Sequence, residues 1–118
     1  MKKVLLIGDD QSSTALLTGI LEGNGFEAIA ENNPHDGLHA FDNNPDLDAV
    51  ICDFDDFDLN ANKNGVEVLS QIKEKNPNML CILLSSAMVN KQAFDIGARF
   101  AFRRSGAMED RLLDALEE

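Results

Sequence analysis

Apolar runs and amphipathic stretches alternate along the whole chain. Val4-Leu5-Leu6-Ile7, Ala49-Val50-Ile51-Cys52 and Met79-Leu80-Cys81-Ile82-Leu83-Leu84 are continuous runs without polar interruption. Each is too short for an ordinary helix and reads as a strand buried on both faces. The first strand covers residues 3–8. A helix follows over residues 11–22, with Leu16, Leu17, Ile20 and Leu21 as its apolar face. Gly23-Asn24-Gly25 stops it, because these residues tolerate the left-handed turn at a helix end. Phe26-Glu27-Ala28-Ile29-Ala30 alternates and reads as a second strand. Asn32-Asn33-Pro34 breaks the chain and starts a helix near Pro34 that carries Leu38 and Phe41 and ends at Asn43-Asn44-Pro45. The central strand spans residues 47–53.

A polar loop over residues 55–64 leads to apolar residues at helical spacing over residues 65–73, closed by Asn76-Pro77-Asn78. The strand at residues 79–84 ends in Ser85-Ser86. A short helix is expected over residues 90–96, a fifth strand at Phe100-Ala101-Phe102, and a last helix over residues 108–117 that packs Leu112, Leu113 and Leu116. Strand and helix alternate five times. That pattern predicts a parallel sheet with helices on both faces.

At 118 residues and 44% hydrophobic content, the chain suits one globular domain with a single core. The formal net charge of −11 argues against direct contact with nucleic acid or an anionic membrane and suits cations or basic partner surfaces. No apolar run approaches the ~20 residues that span a bilayer. The run after Met1-Lys2-Lys3 is too short for a signal peptide. Cys52 and Cys81 fall inside apolar runs and read as buried thiols of a cytoplasmic protein.

The chemistry gathers at strand ends. Asp9-Asp10 ends the first strand, Asp53 the central one, Ser85-Ser86 the fourth, and Arg104 follows the fifth. Open α/β sheets build their sites at that edge. Clustered carboxylates repel unless a cation relieves them. Acids for a divalent metal, a carboxylate nucleophile, a hydroxyl and a fixed positive charge together suit phosphoryl transfer.

The chain resembles the response-regulator receiver family, the CheY-like domains of two-component signalling, over essentially all of residues 1–118. Leu5-Leu6-Ile7-Gly8-Asp9-Asp10 is similar to the family's first strand with its metal-binding acids. Leu21-Glu22-Gly23-Asn24-Gly25-Phe26 and Asp36-Gly37 are similar to its first-helix ending and second-helix start. Asp48-Ala49-Val50-Ile51-Cys52-Asp53 matches the strand that ends in the phospho-acceptor, Asn64-Gly65-Val66-Glu67-Val68-Leu69 the third-helix start, and Leu84-Ser85-Ser86-Ala87 the switch-hydroxyl segment.

The resemblance implies a single flavodoxin-like (βα)5 domain with a five-stranded parallel sheet in the order 2-1-3-4-5. It implies that Asp53 accepts a phosphoryl group from a sensor histidine kinase or a histidine phosphotransfer protein. Asp9, Asp10, Asp53 and the backbone carbonyl of Asp55 would hold Mg²⁺. Ser85 would donate to the phosphoryl group, and Arg104 would stand where the family has lysine. Turnover would be slow self-chemistry, not catalysis on a free substrate. The signal would pass through the face from the fourth strand to the last helix, to a downstream protein or a fused output domain, with a second copy of the chain as a further candidate partner.

Departures from the family pattern set up alternatives. Arg104 keeps the lysine's charge but not its shape. Ser105 replaces the proline, usually cis, after that lysine. The aromatic switch position falls on Ala101. The loop after Asp53 is long, and the segment from Ser85 to Gly97 is shorter by about one helical turn. A pseudo-receiver, the same fold used as a phosphorylation-independent interaction module, is the main rival. Asp56 also suits the acceptor role by its distance to Gly65, but ending the strand there would bury two more acids. Asp56-x-Asp58-x-Asn60-x-Asn62-x-Asn64-x-x-Glu67 has EF-hand spacing without the turn glycine, which Ala61 replaces. Asp53-Phe54-Asp55 also fits the Asp-x-Asp of dehalogenase-like phosphatases, although that site normally follows the first strand. His35 and His39, one turn apart, read as a solvated face.

Overall fold

The computed structural model describes residues 2–8, 11–53, 65–85, 100–103 and 108–116. In chain order these form β1 (Lys3–Gly8), α1 (Gln11–Gly23), β2 (Glu27–Glu31), α2 (Pro34–Asn43), β3 (Ala49–Asp53), α3 (Gly65–Lys75), β4 (Leu80–Ser85), β5 (Phe100–Arg103) and α4 (Met108–Leu116). The expected short helix over residues 90–96 lies outside the described residues. The five strands are parallel, in the order β2-β1-β3-β4-β5.

Side chains alternate across a strand, so each interior strand feeds two cores. On one face Leu5, Ile7, Val50, Cys52, Cys81 and Leu83 pack with Ala40 of α2 and Val68, Leu69 and Ile72 of α3. On the other, Val4, Leu6, Ala49, Ile51, Ile82 and Leu84 pack with Leu17 and Leu21 of α1 and Leu112, Ala115 and Leu116 of α4. The unbroken apolar runs of β1, β3 and β4 are explained by this double covering. β2 is an edge strand. Its alternation does not separate inside from outside: Ala28 packs towards one core and Ile29 towards the other.

The apolar face of α1 differs from the one its leucines suggest. Thr14, Leu17 and Leu21 are its buried residues, whereas Leu16 is 66% exposed. At 100° per residue, Leu16 points about 130° away from the centre of the 14-17-21 face. Turn chemistry then fixes the helix end. Gly25 has φ +86°, the Phe26 amide donates to the Leu21 carbonyl at 3.0 Å, and the Gly25 amide donates to that of Glu22 at 3.2 Å. This is a Schellman cap, closed by burial of Leu21 and Phe26 in the same core. At α2, the Asn33 side chain accepts from the Asp36 amide at 2.8 Å and Pro34 takes the first helical position.

Polar ties close the edge of the sheet opposite the candidate site. The Lys3 amide donates to Asp48 Oδ2 at 2.8 Å, and the Lys3 ammonium holds Asp46 at 3.1 Å. That hydrogen bond keeps the Asp46 carboxyl below its ordinary range. The Lys2 ammonium donates to the Leu116 carbonyl and so caps α4 where its dipole favours a cation. The Lys73 ammonium spans the turn into β4, donating to the carbonyls of Pro77 at 3.1 Å and Met79 at 2.7 Å.

Cys52 and Cys81 are buried thiols outside any disulfide. Burial pushes the Cys81 thiol up to about 11, opposed weakly by the Lys73 charge. The unfolded thiol ionises near 9.0, so between these values only the unfolded state gains the thiolate charge. Stability is therefore complete below pH 9 and is lost as pH rises towards 11, by up to about 3 kcal/mol from this group. Urea unfolding of wild type and Cys81→Ala across that window is expected to show the steeper decline in wild type. Parallel declines would contradict it.

Candidate functional site

The register of the strands places Asp53. Gly8 of β1 pairs with Asp53 of β3, and Asp53 pairs with Leu84 of β4, in turn level with Phe102 of β5. One step further, Ser85 pairs with Arg103. The three central strands and β5 thus end within one residue of each other at the carboxyl edge of the sheet. In an open α/β sheet this edge is where ligands bind.

Asp53 is 1% exposed, and besides Thr14 it is the one buried polar or charged residue among the described residues. A carboxylate costs several kcal/mol to take out of water unless charges or hydrogen bonds meet it. One such bond comes from α1: the Ser13 hydroxyl donates to Asp53 Oδ2 at 2.8 Å. Alternation explains the direction. Asp53 lies two residues beyond Ile51, which belongs to the core shared with α1. The first turn of α1 comes close to this edge because Gly8 has no side chain. A Cβ there would lie 2.5 Å from Thr14 Oγ1 and 3.3 Å from the Asp53 carbonyl oxygen.

The expected site residues therefore divide. Asp53 stands at the strand end, and the backbone of Ser85 ends β4 beside it. The side chain of Ser85 lies outside the described residues, as do Asp9, Asp10, Asp55, Asp56, Ser86, Arg104 and Ser105. Ala101 lies in β5, its side chain likewise outside. Gly8 and the backbone of Arg103 are described, and the chain continues from them into Asp9-Asp10 and Arg104. Among the described residues no three His, Cys, Asp or Glu side chains gather to hold a metal, and no helix is long and apolar enough to cross a membrane. His35 and His39 are both exposed. Ser13 is a contact that the sequence pattern did not single out. Its signal is slight: a hydroxyl in the first turn of the helix that follows the acidic pair.

The family model described as the response regulator receiver domain matches residues 4–115. The transcriptional regulatory protein CpxR of Escherichia coli (strain K12) is 32% identical over 84 residues, which are 70% of this chain and 33% of CpxR. The chain thus spans about a third of the length of that relative. Among solved structures, a response regulator receiver domain protein from Clostridium thermocellum aligns with TM-score 0.86 and 26% identity, over 99% of this chain and 92% of its own. The CheX–CheY–BeF3–Mg complex from Borrelia burgdorferi aligns with TM-score 0.83 and 22% identity, over 98% of this chain and 86% of its own; at that identity the likeness speaks to the fold alone.

Proposed function

This chain belongs to the response regulator receiver family, and from that membership we propose that it accepts a phosphoryl group on Asp53 from a histidine-phosphorylated partner. The observation that carries the reading is the placement of Asp53: a buried carboxylate at the carboxyl edge, level with the end of β1. A carboxylate oxygen forms the new O–P bond while the partner's P–N bond breaks, and that electron pair leaves with the imidazole nitrogen.

The donor set fits a hard divalent cation. All the candidate ligands are oxygen: Asp53, the Asp9 and Asp10 carboxylates that follow Gly8 in the chain, and the Asp55 carbonyl. Mg²⁺ held there would offset negative charge on the phosphoryl oxygens. Ser85 is proposed to donate to the phosphoryl group and Arg104 to offset its charge. The transfer is self-modification, and a sensor histidine kinase or histidine phosphotransfer protein is the proposed donor. A downstream protein or fused output domain would read the face from β4 to α4, and the buried thiols Cys52 and Cys81 suit a cytoplasmic setting.

Arg104 and Ser105 favour a second reading, the pseudo-receiver that binds partners without phosphate. Incubation with Mg²⁺ and acetyl phosphate, followed by intact mass, separates the two. The first reading expects one added phosphoryl group, abolished by EDTA. The second expects none.

A further inference from the structure

We propose that Ser13 is a positioning residue for phosphoryl transfer at Asp53, an inference that rests on Asp53 being the acceptor. The terminal torsion of an aspartate is broad and twofold, so burial alone does not fix the plane of the carboxylate. The Ser13 hydroxyl fixes it from outside, by donating to Oδ2 at 2.8 Å. Hydrogen bonds to an ionised acceptor are the stronger kind, and orienting a reacting atom lowers the barrier by removing unproductive geometries.

The donor is itself held in place. Thr14, the next residue, is 2% exposed, and its hydroxyl fills the space that the missing side chain of Gly8 leaves. Leu17 and Leu21 anchor the rest of α1 in the core below. Ser13 therefore sits on a helix locked at two levels against the strands that carry Asp53, and it enters the transfer only through that carboxylate. With acetyl phosphate as donor, an Asp53 oxygen forms the new O–P bond, the donor's P–O bond breaks, and its electron pair leaves with acetate.

The test follows labelling of the whole chain by intact mass over time, with Mg²⁺ and acetyl phosphate, for wild type, Ser13→Ala and Ser13→Thr. Ser13→Ala is expected to label about tenfold more slowly while remaining folded at the assay temperature, the loss of one well-placed hydrogen bond to the reacting carboxylate. Ser13→Thr keeps the hydroxyl and is expected to recover most of the rate, which a purely structural role would not require. Wild-type labelling by Ser13→Ala, or a Ser13→Thr as slow as Ser13→Ala, overturns the role of Ser13 while leaving the acceptor in place. An unlabelled wild type overturns both.

Discussion

No phosphoryl group is expected on Asp53→Asn, whereas Asp56→Asn is expected to take one up as wild type does. The amide is nearly the same size as the carboxylate, so the strand end keeps its packing. It also keeps an oxygen that can accept from Ser13. What it loses is the anionic oxygen proposed to attack phosphorus and one negative charge that a cation would use. The effect on labelling is expected to be all-or-none, because in the proposed reading the Asp53 carboxylate is the nucleophile. The contrast with Asp56 follows from β3, whose ladder runs level with β1 and β4 up to Asp53. Intact mass of the two variants after acetyl phosphate treatment checks the result. Loss of label only in Asp56→Asn would move the acceptor three residues along the chain.

Ile51→Ala is expected to cost about 2–5 kcal/mol of stability. Ile51 is fully buried in the central strand, paired in register with Leu6 on one side and Ile82 on the other. All three belong to the core under α1 and α4, so the cavity would open in the middle of the sheet, with no solvent-facing side to relax into. Domains of this size are stable by only about 5–15 kcal/mol in total, so this variant should unfold at a much lower urea concentration. Leu16→Ala makes the matching control. Although it removes as large a side chain, Leu16 is 66% exposed, and the change should stay within about 0.5 kcal/mol. Equal shifts in the two urea midpoints would contradict the burial described for α1.

That pair also shows where the sequence was legible. Unbroken apolar runs announce strands covered on both faces, and β1, β3 and β4 sit where their runs lie, within about two residues, the usual uncertainty of element ends. Gly23-Asn24-Gly25 and Asn33-Pro34 carry their structural meaning in residue type alone, and both caps form as their chemistry requires. The face of α1 was not legible in the same way. Counting leucines selects Leu16, but the helix turns Thr14 inward because its hydroxyl fits over Gly8, a fit that hydropathy does not encode. Asp53 was legible because a buried run that ends in an acid is costly without a purpose. Ser13 was not: its partner is 40 residues away in sequence, and only the packing of α1 against the edge of the sheet brings the two within 2.8 Å.

The most direct test of the central claim identifies the phosphorylated atom's residue chemically. Borohydride reduces an acyl phosphate to an alcohol, so a phosphorylated aspartate becomes homoserine. The protein would be treated with Mg²⁺ and acetyl phosphate, reduced, digested, and the peptide that contains β3 sequenced by fragmentation mass spectrometry. The account predicts homoserine at position 53, absent when EDTA is present during labelling. Homoserine at position 56, or no homoserine in a preparation that is folded, would contradict it.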